Sequence, residues 1–192
     1  GAVLVIGYLS SQIGQILTTA LLSPREFALY RAGAFELPFF STLYLSIGAI
    51  SNPMISKLYF SGLKDEIILL KNRIFTNTAS ILYPIYFFIV LFGDEVISLY
   101  LGERFAGSGI IFIIFNSVLL LRLMDYEDIA ITSGKNRALT LIYVIVLVFG
   151  SLSTYILITL FGLIGAAISS TLTTLLTVLL LSFLSVRILS IK

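Results

Sequence analysis

A chain of 192 residues with 58% hydrophobic side chains, 11% charged ones and a mean hydropathy of +1.08 lies outside the soluble range, where apolar content is about 45–50%. It contains no His and no Cys, which excludes disulfides, thiolate chemistry, His-based acid–base catalysis and N/S metal centres; no cofactor is called for. A formal net charge of +2 is too small to argue for a nucleic-acid partner.

The charges leave five uncharged runs, 1–24, 37–56, 74–93, 105–121 and 138–186. A helix needs about 20 apolar residues to cross a hydrocarbon core of roughly 30 Å. The last run is long enough to cross twice, with a break at Phe161-Gly162. The expectation is therefore an all-α integral membrane protein, a six-transmembrane-helix bundle with spans at about 2–22, 30–56, 74–92, 107–128, 138–160 and 163–186. Arg31, Glu36 and Arg122 then fall within spans. Ionisable groups at membrane depth are costly and mark pathways or ligands, so these three are the first site candidates. The first apolar run exceeds a signal-peptide core and lacks a basic start. Because the chain begins with Gly rather than Met, a fragment of a longer polypeptide or a processed form is expected.

Span 1 carries Tyr8, Gln12, Gln15 and Thr19 at i, i+4, i+7, i+11, one helical face. That face either hydrogen-bonds to neighbouring helices or lines a hydrated cavity, so Gln12 and Gln15 join the candidates. Ser23-Pro24-Arg25-Glu26 reads as a helix start, with Ser23 as N-cap, Pro24 at N1 and an acid in the first turn. Span 2 holds Arg31, Glu36, Pro38 and Pro53. Each proline removes a backbone donor and clashes with the preceding turn, which predicts a kinked or broken helix lining a cavity.

Leu63, Ile67, Leu70 and Ile74 form an apolar stripe with Lys64, Asp65, Lys71 and Arg73 on other faces, the pattern of an interfacial helix over about 61–73. Pro84 lies at the middle of span 3, and 93–106 reads as a short polar connection. Arg122 lies some fifteen residues into span 4, about 22 Å along at roughly 1.5 Å per residue. Asp125 is three residues on, a spacing that allows a structural ion pair. Residues 132–137 read as a polar turn around Gly134. Span 6 has two ladders of small residues, Gly162/Ala166/Ser170/Thr174 and Gly165/Ser169/Thr173/Thr177, which let helix backbones approach closely.

Alternating the loops puts Lys57, Lys64, Lys71, Arg73, Arg122, Lys135, Arg137, Arg187 and Lys192 on one side and Arg25, Arg31 and Arg104 on the other. The positive-inside rule makes the first side cytoplasmic, with both ends of the chain there. With Trp absent, Tyr30, Tyr59, Tyr100 and Tyr126 near span ends supply the aromatic belt.

The stretch Ser-Pro-Arg-Glu-Phe-Ala-Leu-Tyr-Arg-Ala-Gly-Ala-Phe-Glu-Leu-Pro-Phe (23–39) resembles polysaccharide-export flippases of the O-antigen and teichuronic-acid transporter type, in the multidrug/oligosaccharidyl-lipid/polysaccharide (MATE-like) superfamily. Asn52-Pro53 with Lys57, Gly102 through Ser108, Ser133-Gly134-Lys135 and Phe161-Gly162-Leu163-Ile164-Gly165-Ala166-Ala167 are similar in order along the chain. The likeness corresponds to the C-terminal half of a twelve-helix transporter. It implies a partner N-terminal six-helix half and a bacterial or archaeal cytoplasmic membrane. The implied cargo is an undecaprenyl-diphosphate-linked oligosaccharide, and a glycan polymerase complex is a further partner. It also implies that cavity cations meet the diphosphate or acidic sugars. Arg31 matches the family's Tyr-Arg position, Arg25 lies just before it, and Arg122 is a weaker transfer. Thr18-Thr19 stands where an acid often occurs, against carboxylate-dependent coupling through this helix. A snorkelling role for Arg31, or its pairing with Glu26 or Glu36, stays open. So do a cation-coupled multidrug exporter relying on Glu36 and a non-transport subunit of a glycan-assembly complex. An enzyme is not expected.

Overall fold

The computed structural model describes the backbone of residues 2–124 and 126–189, and the side chains of 6, 8, 9, 12–124 and 126–189. The elements among the described residues are all helical: α1 (Ala2–Leu21), α2 (Pro24–Gly33), α3 (Pro38–Phe60), α4 (Lys64–Leu101), the 3-10 turn η1 (Glu103–Ser108), α5 (Gly109–Arg122), α6 (Glu127–Thr132) and α7 (Asn136–Leu189). Three helical stretches are long and apolar enough to cross a membrane: Lys64–Leu101, Glu103–Arg122 and Asn136–Leu189. A fourth is added if α2 and α3, bent by 53°, are one broken span. Large hydrophobic side chains along the helices, such as Leu45, Ile50, Phe87 and Val148, are exposed. An apolar outer surface of that kind suits lipid rather than water.

The helix starts follow local chemistry. Ser23 caps α2 in a full capping box: Glu26 returns its carboxylate to the Ser23 amide at 2.9 Å and Pro24 occupies the first turn. Replacing Ser23 by Ala is expected to cost about 1 kcal/mol in thermal unfolding, the usual worth of an N-cap. Pro38 sits in the first turn of α3 and holds Leu37 extended at φ −61, ψ 130, which places the break of the bent pair at 34–37.

The other prolines do not mark breaks. Pro53 and Pro84 lie inside α3 and α4 without a non-helical residue beside them. The interruption in α4 is at Phe92 (φ −126, ψ 25), next to the buried Gly93. A proline costs one backbone hydrogen bond, which neighbours in a bundle can make good, so it need not set the kink. Two further stretches differ in outline from the sequence reading. Residues of the stretch 61–73 form, from Lys64 on, the beginning of α4, and Ile67 is fully buried against Ile55, Ile129 and Leu189. The polar connection at 93–106 is helical to Leu101 and then a 3-10 turn.

The longest helix is folded on itself. Gly162 takes φ 56, ψ −131, a conformation L side chains rarely adopt. Beyond it the chain returns along its own path: Gly165 meets Leu157, Thr154 donates a 3.2 Å hydrogen bond to Ser169, and Gly150 lies against Thr173. The ladder Gly165/Ser169/Thr173 is thus the face by which the returning arm (163–189) packs on the outgoing arm (136–161). Both arms and α6 share a core of Ala130, Leu139, Ile142, Val146 and Leu181. A second core joins α3, α4 and α5 through Phe40, Leu82, Ile89, Phe112 and Leu119.

These contacts define two ends of the bundle. At one end Ile55, Ile67, Ile129 and Leu189 cluster, and Lys64 Nζ donates to the Ile188 carbonyl. At the other, Leu22 packs with Ile158 and Ala166, and Gly33 abuts Ser108 and Ile111. Lys57, Lys64, Lys71, Arg73, Lys135, Arg137 and Arg187 lie on segments that converge at the first end, and Arg25, Arg31 and Arg104 on segments at the second. Lys192 lies outside the described residues.

Candidate functional site

Span 4, expected as one helix over 107–128, is broken. α5 stops at Arg122, and α6 begins at Glu127. Hydrogen bonds to the returning arm of α7 fix the depth of this break. Thr171 donates to the Ile114 carbonyl at 3.3 Å, and Ser185 donates to the Tyr126 carbonyl at 3.1 Å. Arg122 is therefore level with the stretch between 171 and 185, inside the arm rather than at its end. Breaks at this depth persist in membranes where the freed backbone faces protein or water.

The break opens a cleft of about 350 Å³. Tyr44, Gly48, Ser51 and Asn52 of α3 form one wall, Lys71, Ile74 and Thr78 of α4 a second, and Arg122, Glu127 and Asp128 the third. The Tyr44 hydroxyl donates to the Leu119 carbonyl and so ties α3 to the last turn of α5. Two ion pairs hold the charges. Lys71 Nζ meets Asp128 Oδ2 at 2.5 Å, with both side chains about 15% exposed, and lies 5.4 Å from the Tyr126 ring centroid. Arg122 Nη1 meets Glu36 Oε2 at 3.3 Å, with the arginine side chain 46% exposed and the glutamate 26%. The other carboxylate oxygen, Glu36 Oε1, is buried without a hydrogen-bond partner.

Of the residues singled out in the sequence, the fold joins two: Glu36 and Arg122, 86 positions apart, form one pair. Asp125, the expected partner of Arg122, lies outside the described residues. Arg25 and Arg31 are exposed on α2 at the opposite end and make no salt bridge among the described residues. Gln12 and Gln15 stand apart on α1, where they line a shallow depression with Ile16 and Thr19; Gln12 Nε2 donates to the Tyr8 hydroxyl at 2.9 Å.

The sequence reading missed Tyr44, Ser51, Asn52, Lys71, Thr78, Glu127 and Asp128 as site residues. For Lys71 a signal existed: it is four residues after Ile67 and three before Ile74, on the flank of the stripe that is buried. Asp128 carries no such mark, since its partner is 57 positions away.

Chemically the cleft offers one guanidinium, one ammonium, hydroxyls and an amide, with carboxylates balancing the cations. Such a lining suits an anionic or polyhydroxylated ligand, and half-exposed Arg122 is the donor with most room for one. Comparison with protein-family models, with curated proteins and with solved structures finds no match to this chain.

Proposed function

We propose that this chain is one six-crossing half of a MATE-like flippase that moves an undecaprenyl-diphosphate-linked oligosaccharide across the cytoplasmic membrane for surface polysaccharide synthesis. The crossings in this reading are α1, the bent pair α2–α3, α4, the broken α5–α6 and the two arms of α7. The end that gathers the lysines faces the cytoplasm. The observation that carries the proposal is the charged cleft at the α5–α6 break, where Arg122, inside the span of the returning arm, and Lys71, nearer the lysine-rich end, stand beside hydroxyl and amide groups. Charge at that depth is expensive and is retained where a ligand uses it. The ordered sequence resemblance to polysaccharide-export flippases supplies the cargo class. Pairing of Glu36 with Arg122 counts against a cation exporter, because the embedded acid on which that reading relied is already neutralised.

The test is surface polysaccharide scored in cells carrying Arg122→Ala and Arg122→Lys at matched protein level. Arg122→Ala is expected to cut export about tenfold or more, the worth of a hydrogen bond to a charged group, with partial retention in Arg122→Lys. Full export in both variants removes Arg122 from the mechanism. The same two substitutions at Arg31 decide whether the far-end cation contributes.

A further inference from the structure

On the far side of Lys71 from the cleft lies a second cavity of different character. A groove of about 360 Å³ runs between α4 and the returning arm of α7, walled by Ile67, Phe75, Met124, Tyr126, Val186 and Leu189. Both flanking helices are long and apolar enough to cross a membrane. Lys71 lines both cavities, whereas its partner Asp128 lines only the charged cleft, and no acid among the described residues lines the groove. A second ammonium lies at the Leu189 end: Lys64, seven residues earlier on α4, donates to the Ile188 carbonyl. Among the described residues the groove is thus an apolar slot lined by one cation, Lys71, and no acid, at the end of the bundle that gathers the lysines.

We propose that this groove is a binding site for an anionic membrane phospholipid, with one acyl chain in the slot and the phosphate meeting Lys71. Hydrocarbon walls select a chain over a soluble anion, and an ammonium between two spanning helices is the arrangement that holds an acidic headgroup. Tyr126 packs its ring beside the ammonium, so the phosphate approaches Lys71 from the groove while Asp128 holds it from the cleft. The site requires that the bundle be membrane-embedded and is independent of what the charged cleft carries.

The chain has no Trp, so Phe75→Trp places a reporter in the slot whose emission is read over that of the parent protein. The purified protein is reconstituted in phosphatidylcholine bilayers containing a minor fraction of chain-brominated lipid, either phosphatidylglycerol or phosphatidylcholine. Brominated phosphatidylglycerol is expected to quench the Phe75→Trp reporter at about fivefold lower mole fraction, the preference expected from one lysine. Leu99→Trp, at an exposed position on the opposite end, should show no preference. Lys71→Arg should keep the preference. Lys71→Met with Asp128→Leu removes the cation without stranding its counter-charge and should abolish it. Equal quenching by the two lipids, or a preference that survives in the double variant, overturns the proposal; neither outcome bears on export.

Discussion

Gly165→Ala is expected to force the α7 hairpin apart. A Cβ at this position would overlap the carbonyl oxygen and carbon of Leu157 and lie 3.0 Å from the Ile158 nitrogen. All three are backbone atoms of a helix, so no side chain can turn aside to make room. The arms must separate, which lengthens the Thr154–Ser169 hydrogen bond and loosens the contact of Gly150 with Thr173. Overpacking of this kind costs about 1–3 kcal/mol and occasionally more; the rigid neighbours put Gly165→Ala at about 3 kcal/mol. Gly14→Ala is the control. It meets nothing within 4 Å in α1, and there the better helix propensity of Ala is expected to add up to about 1 kcal/mol. Thermal unfolding of the purified variants in one detergent checks both. A Gly165→Ala protein as stable as the parent would show that the arms do not pack at this face.

The reversal that makes this contact is readable from residues next to one another. Phe161-Gly162 is a local pause in an apolar run from 138 to 186, and the ladder Gly165/Ser169/Thr173 marks the close face. The capping box at Ser23–Glu26 and the break before Pro38 are likewise set by nearest neighbours. What failed were inferences that needed tertiary context. Pro53 was expected to kink or break span 2, yet no non-helical residue stands beside it; the interruption in α4 falls at Phe92, and α5 stops at Arg122. Those places are set by where α4 meets α5 and where α5 gives way to α6. The stripe Leu63/Ile67/Leu70/Ile74 was assigned to a membrane surface. A period of 3.6 reports that a face is apolar, not whether lipid or protein covers it; Ile55, Ile129 and Leu189 cover Ile67.

The candidate site divides in the same way. Arg122 and Glu36 were each conspicuous as charges within apolar runs, but the spacing rule directed Arg122 to Asp125, one turn away. Local spacing ranks only partners on the same helix; Asp125 lies outside the described residues, and the fold brings Glu36 to Arg122 from the α2–α3 junction. Arg31, conspicuous for the same reason as Arg122, proved to lie on an exposed turn. Both side chains are exposed; what separates them is a partner brought by the fold, since Glu36 lies 3.3 Å from Arg122 while Arg31 makes no salt bridge among the described residues.

Neutralising either member of the Lys71–Asp128 pair alone is expected to destabilise the protein far more than neutralising both. The side chains are 14% and 15% exposed, and the pair ties α4 to α6. α6 has only six residues, too few to hold helical shape without tertiary contacts. Lys71→Met leaves a carboxylate with little water, and Asp128→Leu leaves an ammonium in the same position; loss of one partner of a buried pair costs about 3–5 kcal/mol. Lys71→Met with Asp128→Leu removes both desolvation penalties and fills the space with hydrocarbon, which is often neutral or stabilising by about 1–4 kcal/mol. A double-mutant cycle in thermal or denaturant unfolding should therefore show strong coupling, about 6 kcal/mol or more by these figures and above the usual range of about 0.5–3 kcal/mol. Additive single effects would mean that the two groups are solvated and the 2.5 Å contact contributes little. The folded double variant also separates stability from transport. It keeps α6 in place while deleting the ammonium from the cleft, so its export at normal protein level should fall even though its stability does not. Normal export in that variant would leave Arg122 as the cleft cation that carries the proposed function.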